Sequence, residues 1–289
     1  EEQIGRGLGA QIVGARRDSN DQGTEGLVYV YLGSATGLAD SPDWIAEGDQ
    51  NGAKFGHSVG TAGDVNSDGY SDVIIGTYAG QAYVYLGSAT GLAASPAWTA
   101  EDDQAYAYFG CAVGTAGDVN GDGYSDVVIG ACEYDNGDQN RAGQAYVYLG
   151  SATGLAASPA WTAKGDQAYA YFGFAVGTAG DVNGDGYSDV VVGAHGYDGD
   201  QMAKGRAHLY LGSATGLAAS PAWTVEGGNA FDGLGYSAGA AGDVNGDGYS
   251  DVIVGAPGAG TGGRAYVYPG APYYCAYLPM VTRQQGSPG

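Results

Sequence analysis

The nonapeptide DVNGDGYSD, first met at Asp118–Asp126, returns unchanged at Asp181–Asp189 and Asp243–Asp251, and as DVNSDGYSD at Asp64–Asp72. Oxygen-bearing side chains stand at positions one, three, five and nine, and Gly at position six permits a backbone turn that a Cβ would resist. A loop of this kind wraps a hard cation. Ca²⁺ suits it better than Mg²⁺, which keeps its waters and demands a tighter octahedron. The candidate side-chain ligands are Asp64, Asn66, Asp68 and Asp72; Asp118, Asn120, Asp122 and Asp126; Asp181, Asn183, Asp185 and Asp189; and Asp243, Asn245, Asp247 and Asp251. The position-seven carbonyls of Tyr70, Tyr124, Tyr187 and Tyr249 can add a further oxygen in each loop. About four Ca²⁺ ions are expected, one per loop. Asp, Asn and Gly are also ordinary turn formers, so one copy could be a plain acidic turn; four copies keeping every ligand position ask for more.

The flanking residues exclude helical calcium motifs. An EF-hand carries Glu at position twelve between helices, and a dockerin loop runs into a helix. Here position twelve is Ile75, Ile129, Val192 or Val254, within DVIIG, DVVIG, DVVVG or DVIVG. A short β-branched run closed by Gly reads as a strand, so each loop joins two strands.

The loops are spaced 54, 63 and 62 residues apart. Each unit reads as a short strand, the loop, a second strand, a variable loop and a third strand such as QAYVYLG (81–87 and 144–150). SATGLA, Ser-Pro and a Trp (Trp44, Trp98, Trp161, Trp223) then lead into a fourth strand. Such repeats, without helical periodicity, predict an all-β fold, a β-propeller of about five four-stranded blades with irregular first and last blades. One propeller domain is expected over 1–281, followed by a tail over 282–289.

With 56 Gly the chain could be suspected of disorder, but 24 Tyr and the Val/Ile runs supply a core. The formal charge is −22, and 12 of the 32 acidic residues lie in the four loops; eight positive charges from four Ca²⁺ would bring it to −14. No basic stripe suits nucleic acid, and no apolar run approaches the roughly 20 residues of a spanning helix.

Residues preceding each loop add a resemblance. Phe55-Gly56, Phe109-Gly110, Phe172-Gly173 and the weaker Leu234-Gly235 precede the loops, and Gly255-Ala256-Pro257 follows the last. In this order they resemble FG-GAP repeats, the blades of the integrin α-subunit propeller and of related bacterial surface proteins and fungal lectins. The resemblance implies that each loop links the two innermost strands of its blade and carries Ca²⁺ on one face of the disc. Family propellers usually have seven blades, whereas five are counted here, beginning near residues 8, 55, 109, 172 and 234. The first has no metal loop, and Ile12–Ala15 matches the end of a second strand. The last runs into PYYCAYLPMV (272–281), a candidate fourth strand without the linker or the Trp. Unpaired edges are costly, so the termini are expected to pair within one chain or between chains.

Cys111 and Cys132 flank the third blade's loop symmetrically and are a disulfide candidate, with two buried thiols as the alternative; Cys275 is left over. The Tyr and Trp residues could stack on sugars, but their blade spacing fits packing between blades better. His57, His195 and His208 are scattered, and Ser71, Ser125, Ser188 and Ser250 lie inside the loops without a partner His. The unlike loops 131–143 and 194–205 are the better candidates for recognition. The expectation is a non-catalytic calcium-binding propeller for adhesion or recognition of a protein or glycan. Alternatives are the subunit of a filament or surface assembly that joins copies by strand exchange and, third, a lectin. An extracellular or cell-surface setting follows from the calcium demand of such loops, the paired cysteines, the scarcity of Lys and a chain beginning at Glu1 rather than Met.

Overall fold

The structure, a computed structural model, describes residues 10–16, 25–34, 37–102 and 104–272. These residues form strands and no helix. The first sheet contains β1 (Ala10–Ala15), β2 (Leu27–Ser34), β3 (Gly37–Leu38) and β4 (Trp44–Glu47). The second contains β5 (Ser58–Gly63), β6 (Asp72–Gly76), β7 (Gln81–Tyr85) and β8 (Trp98–Glu101). The third contains β9 (Phe109–Gly117), β10 (Asp126–Ala131), β11 (Gln144–Tyr148) and β12 (Trp161–Lys164). The fourth contains β13 (Ala175–Gly180), β14 (Asp189–Ala194), β15 (Arg206–Tyr210) and β16 (Trp223–Glu226), and the fifth β17 (Ser237–Gly242), β18 (Asp251–Ala256) and β19 (Arg264–Tyr268).

The second, third and fourth sheets are antiparallel meanders in chain order. Their first strands gather at one axis, β5 against β9, β9 against β13 and β13 against β17, which is the blade arrangement of a β-propeller. Turns of a meander alternate between ends, so the four nonapeptides share one face with the SATGLA linkers. The FG segments and the variable loops occupy the other.

The first and fifth blades are irregular, as the repeat count predicts. In the first, β1 pairs with β2 so that Gly14 faces Val28, the register in which the second-strand Gly130 faces Ala145. β1 is thus a second strand. The fifth blade has three strands among the described residues. The candidate fourth strand over 272–281 lies outside them beyond Pro272, as do Cys275, the tail and the expected start of the first blade near residue 8.

The β-branched runs are uniform rather than alternating because both faces are covered: every residue of β6, β10 and β14 is buried. The cores lie between blades. Ile74 and Val84 of the second blade pack with Phe109, Ile129 and Tyr148 of the third. Approach is closest at paired glycines, where a Cβ on Gly130 would collide with the carbonyl oxygen of Gly173 and one on Gly193 with that of Gly235. At the rim each Trp meets the next blade's Tyr edge to face, Trp98 on Tyr148 at 4.9 Å between centroids and Trp161 on Tyr210 at 4.8 Å. The Trp98 indole N–H donates to the carbonyl of Ala156, 3.0 Å away, and that of Trp161 to Ala218, 2.9 Å away. The Trp residues therefore serve packing between blades.

β15 carries His208 where the sibling strands carry Tyr83, Tyr146 and Tyr266. Burial, then nearby Arg206, hold its imidazole down to about 4, against the opposing pull of Asp166 and Glu226. Because this lies below the ordinary 6.5, the neutral ring's contribution to stability is complete above pH 6.5 and is lost as pH falls towards 4. His208→Tyr is expected to flatten the stability profile across that interval, read as the difference between variant and wild-type urea midpoints. An unchanged difference would remove His208 from the acid response.

Candidate metal centre

Each nonapeptide is built in two layers. At the mouth of the third blade's loop, Asp118 Oδ1 accepts from the N–H of Gly121 (2.6 Å) and of Asp122 (3.1 Å), and its Oδ2 from the N–H of Gly123 (2.9 Å). Asn120 Oδ1 accepts from the N–H of Asp122 at 3.0 Å, and Asp122 Oδ1 from that of Tyr124 at 3.1 Å. Gly123 makes the turn at φ +87°, a conformation costly for any residue with a Cβ. The loops at 181–189 and 243–251 repeat this pattern with the same partners, and that at 64–72, where Ser67 stands at position four, repeats the bonds from positions five, six and seven. Positions one, three and five are thus brought together and held by the loop's own amides.

Position nine sits behind them. Asp126 is fully buried; its Oδ2 accepts from the N–H of Val119 and its Oδ1 from the N–H of Gly150 just after β11, both at 2.9 Å. Asp72, Asp189 and Asp251 make the equivalent pairs. This carboxylate therefore ties the loop to the third strand, a structural duty that ligand spacing does not reveal. Burial pushes the carboxyl of Asp72 up to about 6 and those of Asp126 and Asp189 to about 7, although the two amide donors pull the other way.

Among the described residues no group of three or more His, Cys, Asp or Glu converges as a metal cluster. The donor set still fits a calcium ion in kind: two carboxylates and an amide at the mouth, a carbonyl at position seven, and behind them a buried carboxylate. Each carboxylate oxygen that accepts one amide keeps a further lone pair.

The variable loops, the sequence's candidates for recognition, also brace the blades. In 131–143 the carbonyls of Asn140, Arg141 and Ala142 accept from the N–H groups of Tyr169, Tyr171 and Phe172 of the next blade, and Arg141 pairs with Glu133 at 3.2 Å. In 194–205 Lys204 pairs with Asp200 (2.6 Å) and Glu226 (2.7 Å). Arg206 bridges Glu226 and Asp166 and lies over the Tyr197 ring. His57 meets Tyr78 edge-on, His195 packs against Phe174, Tyr171 and Tyr236, and His208, on β15 of the same blade as His195, lies against Phe172 and Tyr210, so the histidines sit among rings. Cys111 and Cys132 face each other across the β9–β10 hairpin with Cα atoms 6.3 Å apart, a spacing that a disulfide spans; a bridge here is the pairing we propose.

The FG-GAP repeat family model matches residues 172–210 and 235–268, and the FG-GAP-like repeat model matches 64–129, so all four nonapeptides lie within matched segments. The chain belongs to the FG-GAP repeat family. It is 33% identical to mouse integrin alpha-IIb over 179 residues, covering 59% of this chain and 17% of that protein. It is 34% identical to chicken integrin alpha-V over 216 residues, covering 72% and 20%. It is 33% identical to bovine phosphatidylinositol-glycan-specific phospholipase D over 175 residues, covering 55% and 20%. The chain thus spans about a fifth of these relatives. In FG-GAP terms, the FG glycine of one blade packs on the glycine closing the preceding blade's second strand, the position that opens its GAP-like element.

Two substitutions separate the layers. Asp126→Ala orphans two buried amides and is expected to cost about 2–4 kcal/mol even in EDTA. Asp122→Ala, at the exposed mouth, is expected to change stability little in EDTA and to lose one equivalent of calcium. Urea unfolding with and without calcium reads both, and equal losses in EDTA would collapse the distinction. Thiol titration of the denatured, unreduced protein is expected to find one free thiol, Cys275; three would mean that Cys111 and Cys132 are unbridged.

Proposed function

We propose that this chain is a non-catalytic, extracellular calcium-binding propeller that recognises a protein or glycan. What carries this reading is the row of four nonapeptides on one face, each an oxygen donor set closed around a Gly turn. In each, the carboxylates of positions one and five, the Asn amide and the position-seven carbonyl would hold the ion, with the position-nine carboxylate supplying charge from behind. Bound calcium would cross-link the turn between the inner two strands to its own mouth. The opposite face, with its unlike loops 131–143 and 194–205, would then be presented as a rigid surface.

Similarity to integrin alpha chains supports an adhesion role, and the phospholipase D relative shares the repeats. The extracellular setting is supported by the calcium demand and by the facing cysteines. A second reading, a subunit of a surface assembly, is favoured by the fifth blade: Val244 is 61% exposed and Ile253 38%, where their counterparts in earlier blades are buried. An apolar blade face is a natural seat for another copy.

Calorimetric titration is expected to find about four calcium ions per chain, and EDTA is expected to lower the melting temperature, since ions that bind only the folded loops stabilise them by mass action. Absence of uptake at millimolar calcium would overturn the reading. Calcium-dependent capture of a protein or glycan by a monomer supports recognition, while concentration-dependent polymers in calcium favour the assembly.

A further inference from the structure

The four nonapeptides also keep Tyr at position seven and Ser at position eight, and a calcium site asks for neither side chain. Their partners lie in the preceding blade. Ser125 N–H donates to the backbone carbonyl of Asp64 at 2.9 Å, and Ser125 Oγ accepts from the Asp64 N–H at 3.2 Å. Ser188 N–H reaches the carbonyl of Asp118 at 2.9 Å, and Ser250 N–H that of Asp181 at 3.0 Å. Ser151, which follows the third strand, donates to the carbonyl of Val65 at 3.1 Å, as Ser213 does to Val119. Position-seven rings lean the same way: a Cβ on Gly121 would come within 2.7 Å of the Tyr187 ring, and one on Gly184 within 2.6 Å of the Tyr249 ring.

One planar peptide therefore serves two loops. The unit joining Tyr124 to Ser125 sends its N–H to the first residue of the loop before, and because the peptide is trans its C=O, the position-seven donor, points the opposite way, away from that loop. A cation on that oxygen would fix the peptide plane and polarise the N–H, strengthening the bond to Asp64. Resting on the calcium reading above, we propose that each calcium loop is completed by its downstream neighbour. Ser125 is the positioning residue for the site at 64–72, Ser188 for 118–126 and Ser250 for 181–189, and neighbouring sites bind cooperatively. The loop at 243–251 stands apart, since its Val244 is 61% exposed where Val65, Val119 and Val182 are at most 1% exposed, and it is the weakest site.

The test uses the full chain with Asp122→Ala, Asp185→Ala and Asp247→Ala, which leaves the ligands of 64–72 intact, titrated with calcium by calorimetry. Adding Ser125→Ala, in a different and disabled loop, is expected to raise the dissociation constant of the 64–72 site roughly three- to tenfold, the loss of about one hydrogen bond. Ser125→Thr, which keeps the hydroxyl, restores it. Ser188→Ala, the same change one blade further on, leaves it unmoved. Restoring Asp122 tightens the 64–72 site. If Ser125→Ala has no effect, or Ser188→Ala has an equal one, the proposal is overturned while the calcium reading stands. If the one-site chain takes up no calcium at all, both fall.

Discussion

Backbone meets backbone between blades, and the rest of the fold depends on that approach. Where Gly130 faces Gly173 and Gly193 faces Gly235, no side chain fits between strands of adjacent sheets. That proximity lets an amide of one loop reach a carbonyl of the previous one, as Ser188 reaches Asp118. It also sets the rim spacing at which Trp98 can lie against Tyr148 and still donate to Ala156. The glycine content is thus a record of close contact rather than of disorder. Successive blades cannot separate without breaking hydrogen bonds near the axis and uncovering rings at the rim.

Charge pulls against this compactness. The chain carries −22, and the position-nine carboxylates are driven into the blades, where two amides and, among the described residues, no paired cationic side chain compensate them. Satisfied hydrogen bonds lessen the cost of a buried anion without cancelling it, as the raised carboxyls of Asp126 and Asp189 register. A divalent ion at the mouth would relieve the buried anion and the mutual repulsion of the outer carboxylates together. The same sites would then govern both stability and the rigidity of the opposite face.

Much of this was legible in the chain. Four nonapeptides followed by β-branched runs implied loop-linked strands, and their recurrence with FG and Trp elements implied blades; the sheets follow that order with β1 as a second strand. Less legible was what each conserved position of the repeat touches. Spacing offers Asp126 as one ligand among four and is silent on a further duty of its two oxygens, which join Val119 to Gly150, 31 residues further along the chain. Loops 131–143 and 194–205 stood out as recognition candidates because they differ while the scaffold repeats, and spacing did not tell that the first also carries the carbonyls that anchor the next FG segment. The serines, without a histidine beside them, read as structural by default, but what they hold was hidden because their partners are backbone groups, which carry no residue signature.

The sequence by itself determined the period, the strand order within a blade, the donor chemistry of the loops and the family, because each is written in residue types at fixed local separations. Tertiary structure alone decided which loop leans on which, that position nine points inward, and that the fourth loop is without the cover its siblings share among the described residues. Those outcomes are set by contacts between residues some sixty positions apart, such as Asp64 with Ser125. A repeat states the same local pattern at both ends of such a contact, so only the stacking of blades says which copy gives and which receives.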